Sequence, residues 1–108
     1  MKTATRESGD AIVVDVSGDI DMQHSPALRK VLLETLQRAP RVIVNLQQVK
    51  YIDSSGIASL VEGLKESQAL KNRLILFGLS KGARDVLKLT HLLPIFEVYE
   101  TEEQALKA

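Results

Sequence analysis

The spacing of apolar residues changes period several times along the chain, and each change marks an element. Ala11-Ile12-Val13-Val14-Asp15-Val16 is β-branched and partly alternating, which predicts a strand. Ser8-Gly9-Asp10 before it is turn chemistry, so residues 3 to 7 are expected to pair with that strand as a hairpin. Gly18 ends the strand. Ser25-Pro26 then offers an N-cap followed by proline at the first helical position, and Leu28, Val31, Leu32 and Leu36 recur at helical spacing before a stop at Pro40. Arg41 to Leu46 is a near-continuous apolar run, the pattern of a strand covered on both faces. A short apolar stretch, Val49 to Ile52, leads into Asp53-Ser54-Ser55-Gly56, after which Ile57, Leu60, Val61 and Leu64 form a helical stripe. Leu74 to Gly78 reads as another buried strand. Ala83, Val86, Leu87 and Thr90 follow as the inner face of a third helix, and Phe96 to Tyr99 as a last strand. Thr101-Glu102-Glu103-Gln104 has the form of a capping box that opens a short final helix.

This alternation predicts an α/β fold: a single mixed sheet of about five strands with about four helices packed against it. No Pro-, Gly- or Ser-rich linker and no internal repeat interrupts residues 1–108, so one domain is expected. With 108 residues, 44% of them hydrophobic, the chain can bury roughly two-thirds of its unfolded surface without covalent staples. It contains no cysteine, which excludes disulfides, thiolate metal sites and a cysteine nucleophile and suits a reducing, cytoplasmic setting. Fourteen basic residues balance fourteen acidic ones, with no basic cluster, so nucleic acid is not an expected partner. No apolar run has the length or flanks of a membrane-targeting or membrane-spanning segment.

Candidate chemistry is sparse. His24 and His91 are the only histidines and neither has a ligand-spaced neighbour, so no metal site is expected. His24 is assigned to the loop before the first helix, and His91 to a helix end where it meets the last carbonyls. The Gly-x-Ser-x-Gly elbow is missing because Asp53 stands two before Ser55, and no phosphate-binding glycine loop occurs. The expectation is a protein that is not an enzyme and carries no cofactor. Two features remain: the carboxylate pair in Gly18-Asp19-Ile20-Asp21, which alone reads as a solvated turn, and Asp53-Ser54-Ser55-Gly56. One N-cap satisfies a helix start, yet here three candidate cappers stand in a row. At least one hydroxyl is left at the positive end of a helix, where added phosphate is accommodated. Gly56, lacking a side chain, is expected to let a modifying enzyme approach closely.

These motifs, in this order and at these intervals, resemble the STAS domain of bacterial anti-sigma-factor antagonists over nearly the whole chain. Val13 to Asp21 is similar to the family's strand ending in Gly-Glu-Leu-Asp. Val42 to Ile57 resembles its central strand and Asp-Ser-Ser-Gly-Leu phosphorylation motif, and Leu74 to Phe77 with Ala83 to Leu92 its next strand and Leu-x-Leu-Thr-Gly-Leu helix. Phe96 and Glu102 to Leu106 also fit. The resemblance implies a phosphorylation-switched interaction module. Unphosphorylated, it binds an anti-sigma serine kinase that supplies its own ATP and magnesium; phosphorylation of Ser55 breaks the partnership, and a serine phosphatase resets it. Asp53, Ser54 and Gly56 are implied at the partner surface, with Asp19 and Asp21 on the same rim. The chain departs from the family pattern at Asp19, Asn45, Ala58 and His91, where Glu, Asp, Gly and Gly are the commoner residues.

Two further readings compete. One is a non-phosphorylated STAS accessory subunit of a lipid-transport ATPase or another regulatory complex. The other is a receiver-like phosphoaspartate protein that uses Asp19, Asp21, Asp53 and Ser80-Lys81 around magnesium.

Overall fold

A computed structural model describes residues 1–108. Strands β1 (Lys2–Ser8) and β2 (Ala11–Ser17) form the expected antiparallel hairpin, turned at Gly9 with φ +61°. There follow α1 (Ser25–Leu36), β3 (Arg41–Gln48), α2 (Ser54–Ala69), β4 (Arg73–Phe77) and α3 (Lys81–Leu89), then a 3₁₀ turn (Leu93–Ile95), β5 (Glu97–Tyr99) and α4 (Glu102–Lys107). The five strands lie in the order β1-β2-β3-β4-β5, with β2 to β5 mutually parallel. A receiver-type sheet has the order 2-1-3-4-5. The opening hairpin and this strand order therefore overturn the receiver-like reading.

The near-continuous apolar runs reflect burial on both faces. Ile12, Val14 and Val16 of β2, Val42, Val44 and Leu46 of β3, and Leu74 and Leu76 of β4 belong to a core completed by Leu28, Leu32, Leu36, Ile57, Leu60, Ala83 and Leu87 from α1 to α3. The alternate residues Ala11, Val13, Ile43, Ile75 and Phe77 pack on the other face with Ala105 of α4. Where α4 runs out, that second face turns polar. Asp15 Oδ2 accepts from Arg6 Nε at 2.8 Å, and Arg6 also pairs with Glu102, so one guanidinium ties β1 and β2 to α4. The Arg6 hydrogen bonds hold the Asp15 and Glu102 carboxyls below their ordinary range. Asn45 Nδ2 donates to Asp15 Oδ1 at 2.9 Å. An aspartate at 45 would put a like charge there, which accounts for Asn45 in place of the commoner Asp.

Four local expectations are corrected. Ser25 is not a cap: it is the first residue of α1, buried, and the chain reaches the helix through a turn at 21–24. The free amides of that turn are taken by Asp21, whose carbonyl accepts from His24 N (3.1 Å) and Ser25 N (2.8 Å) and whose Oδ1 accepts from His24 N (3.1 Å). In the final helix Thr101 Oγ1 accepts from Gln104 N as expected, but the Gln104 side chain returns to the amide of Glu100, one residue short of a capping box. Phe96 precedes β5 rather than starting it, because the 3₁₀ turn at Leu93–Ile95 swings it into the core.

The fourth concerns His91, which meets the last carbonyls of α3 through its backbone, not its ring. At φ +60° its N–H donates to Lys88 O (3.0 Å) while Leu92 N donates to Leu87 O (2.9 Å), a pair that closes the helix end. This left-handed backbone is where glycine is least strained. His91→Gly is therefore expected to raise stability by about 0.5 to 1 kcal/mol, the relief of strain being partly offset by the freer unfolded chain. Urea unfolding checks this, and an unchanged or lower midpoint contradicts it.

Candidate functional site

Each crossover helix runs back against its parallel strand, so α1, α2 and α3 all begin at the same edge of the sheet, where their partial positive charges gather. The connections after β2 and β3 are joined at that edge. Ile20 pairs with Ile52 as an isolated parallel bridge: Ile20 N donates to Tyr51 O (3.0 Å) and Asp53 N to Ile20 O (3.1 Å). Gly18 N adds a bond to Gln48 O at 3.1 Å. The Ile20 side chain is fully buried beneath the start of α2. A Cβ on Gly56 would lie 2.6 Å from Ile20 Cγ2 and 2.7 Å from Ile52 Cγ1. Gly56 is itself buried, so its missing side chain serves this close packing and not the approach of a modifying enzyme.

Asp53 is the cap of α2. Its Oδ1 accepts from Ser55 N (2.9 Å), Gly56 N (3.2 Å) and Ser55 Oγ (2.5 Å). The hydrogen bond from the Ser55 hydroxyl is the main cause of a carboxyl pKa below the ordinary 3.8; desolvation opposes it and the Gly56 and Ser55 amides add to it. The three candidate cappers thus divide their roles. Asp53 caps, Ser54 is exposed, and half-buried Ser55 donates its proton, leaving its oxygen lone pairs free to meet an electrophile.

Asp19 and Asp21 flank Ile20 and so stand at the same edge, in different states. Asp19 is exposed. Asp21 turns toward α1, with Oδ1 2.7 Å from His24 Nδ1. Desolvation pushes its carboxyl up, but the His24 ring and amide bonds outweigh it and the net pKa is lowered. No group of three or more His, Asp or Glu is arranged to hold a metal ion.

Several neighbours of Ser55 carry no motif that would single them out in the sequence. Buried Ser59 Oγ donates to Ser25 O at 2.9 Å, tying the start of α1 to α2. Arg29 of α1 pairs with Glu62 of α2. The spacing of Ser55, Ser59 and Glu62 at i, i+4 and i+7 is a visible signal of a shared helix face; the pairing with Arg29, 33 residues earlier than Glu62, has none. Met22 and Tyr51, in the joined connections, are 77% and 54% exposed. On the other flank of α2, Ser54, Ile57, Ala58, Val61, Thr90 and Leu92 line a groove together with the charged Glu62 and Lys65. Ala58 there explains nothing beyond its own methyl: a glycine at 58 would only widen the groove.

Comparison with known proteins places this geometry. Residues 2–105 match the STAS domain family. The anti-sigma-B factor antagonist of Listeria monocytogenes is 30% identical over 95 residues, 86% of this chain and 82% of that protein. The crystal structure of an anti-sigma factor antagonist from Mycobacterium paratuberculosis superimposes with a TM-score of 0.89 at 25% identity, covering 98% of this chain and 91% of that one. The fold is also that of SpoIIAA at 22% identity, with TM-scores of 0.82 for its unphosphorylated form and 0.75 for the phosphorylated Bacillus form. These cover 98% of this chain in both cases, and 94% and 97% of the respective SpoIIAA chains.

Two outcomes follow from the packing and the cap. Gly56→Ala should cost about 1 to 3 kcal/mol in urea unfolding, since the new methyl must displace Ile20 or Ile52 in a filled site; a cost below that range would mean the joined connections are soft. Asp53, with its depressed pKa, adds stability that is complete above pH 3.8 and is lost as pH falls through the lower folded-state value. Asp53→Asn should therefore melt below wild type at neutral pH, with the gap closing in acid. A gap independent of pH would show that the carboxylate charge is not what stabilises the cap.

Proposed function

The chain belongs to the STAS domain family, and from that membership and the setting of Ser55 we propose that it is an anti-sigma-factor antagonist switched by phosphate on Ser55. The observation that carries the proposal is the Ser55 hydroxyl, held by Asp53 at the start of α2 with no capping duty of its own. Its partner is an anti-sigma factor with serine kinase activity, which brings ATP and magnesium; this chain is the substrate, performs no catalysis and carries no cofactor. In the transfer Ser55 Oγ attacks the γ-phosphorus of ATP, the O–P bond forms, the bond to the ADP oxygen breaks, and the hydroxyl proton leaves for a base. Asp53 Oδ1, at 2.5 Å, is the nearest acceptor on this chain. A serine phosphatase hydrolyses the ester and restores binding. The cytoplasm is where such a system works.

The physical basis of the switch is local charge. Phosphate brings about −1.5 to −2 charges to a chain of formal net charge zero. It does so at the cleft between α1 and α2 that Ser55 lines, one residue from Ser54 of the groove on the other flank, so a partner covering this end of α2 would be desolvated against it. Such repulsion and desolvation cost several kcal/mol, and ~1.4 kcal/mol is a factor of ten in affinity. Asp19, Asp21, Asp53 and Ser54 belong to the docking rim on this reading, with Asp21 and Asp53 also fixing its backbone.

The test is direct. Incubated with the cognate kinase and ATP, wild type should take up phosphate and Ser55→Ala should not; Ser55→Asp should bind the kinase at least tenfold more weakly than wild type. Equal phosphate uptake by Ser55→Ala, or unchanged binding by Ser55→Asp, contradicts the proposal.

A further inference from the structure

We propose that Arg29 is the cation that receives the phosphate on Ser55, an inference that rests on the reading of Ser55 as the acceptor. Ser55, Ser59 and Glu62 lie on the face of α2 turned to α1, and the Ser59 to Ser25 bond holds the two helices together there. One turn farther along both, Arg29 meets Glu62. Ser55, Arg29 and Glu62 line a single cleft between the helices, and Arg29 is the only cationic side chain in its walls. Long side chains on a helix lean toward its N-terminus, so Arg29 leans toward the end of the cleft that holds Ser55.

The present partner of Arg29 is replaceable. The Arg29 and Glu62 side chains are 52% and 48% exposed, and ion pairs in such settings contribute little to stability. Only Nε of Arg29 donates to Glu62; its two terminal nitrogens make no hydrogen bond within the chain. Four N–H donors of the planar fork are therefore available to a phosphate. A phosphate dianion carries nearly twice the charge of Glu62 and fits a guanidinium through two parallel bonds. Lys65, three residues on from Glu62, lines the groove on the other flank of α2 together with it, at a spacing that places the two side chains on one helix face. Arg29 thus draws the phosphate into the cleft between α1 and α2 and fixes the side of α2 on which the new charge sits.

The experiment installs phosphoserine at position 55 during translation, so it does not depend on any kinase. The phosphorus NMR shift is then followed against pH in otherwise wild-type protein and in Arg29→Gln, Arg29→Lys and Glu62→Gln. The second phosphate pKa, ordinarily about 6, should rise by about 0.5 or more in Arg29→Gln. Arg29→Lys, keeping the charge without the fork, should fall between the two, and Glu62→Gln, removing the competitor, should lower the value. A phosphate that titrates identically with and without Arg29 overturns the proposal, whatever Glu62→Gln does. Should Arg29→Gln fold poorly, Arg29→Lys decides the matter in its place: a raised value supports the proposal and an unmoved one overturns it. Failure of the Ser55 switch would show itself separately, as a kinase that ignores the site while the titration still responds to Arg29.

Discussion

The Ile20 side chain, which exposes none of its surface, sets the position of everything at the edge that carries Ser55. Its backbone is bonded on both sides to the connection after β3, through Tyr51 O and Asp53 N, and its Cγ2 fills the space that a side chain on Gly56 would need. The bond from Asp53 N fixes where that residue leaves the bridge, so its carboxylate falls over the first amides of α2. The glycine lets the helix begin directly against the isoleucine. One apolar contact with no spare volume thereby places a capping carboxylate, and the carboxylate places a hydroxyl.

That arrangement decides how phosphate on Ser55, as proposed, would be felt. Asp53 Oδ1 accepts three donors, and the phosphate ester removes one of them, the Ser55 hydroxyl proton. The two amides remain, at a helix end whose partial positive charge favours an anion. On that proposal the new charge would meet the Asp53 carboxylate on one side and the Arg29 guanidinium in the cleft on the other. Repulsion and attraction at so short a range act on where the phosphate points. They act little on the fold, because α2 is anchored farther along by Ile57, Leu60 and Gly63, all buried.

The elements were legible because their burial obeys simple periods. Two-sided burial made β3 and β4 continuous apolar runs, and one-sided burial made α1 and α2 regular stripes. The candidate site was legible as a motif at a helix start, which the structure places at α2 with Asp53 as its cap. Its supports were not, since they are settled by tertiary approach. Gly56 looks like an opening in the sequence and is a packing requirement in the structure. Ser25 has the chemistry of a cap, yet the amides it would hold, Ala27 N and Leu28 N, donate to His24 O because a turn precedes the helix. Asn45 makes sense only beside Asp15, thirty residues away, and Arg29 only beside Glu62. Local propensity carries no information about such pairs. His91 is the converse case: a histidine in a left-handed helix end is permitted by the backbone although nothing in the sequence requires it.

That α2 suits the proposed switch better than the other helix starts that carry hydroxyls follows from the same accounting of donors. Ser80 and Thr101 stand at the starts of α3 and α4, and in each the hydroxyl oxygen is itself the cap, accepting from Ala83 N and Gln104 N. Modifying either oxygen would exchange the group that closes the helix. For α4, six residues long with only Ala105 buried, that exchange would act on an element with little else to hold it. Ser55 stands at the start of a 16-residue helix whose cap is supplied by a different residue, so its oxygen can change without the helix losing its closure. A modification meant to alter binding while leaving the fold in place needs that separation between the group that caps and the group that reacts. Of the three helix starts capped by side chains, α2 is the one that provides it.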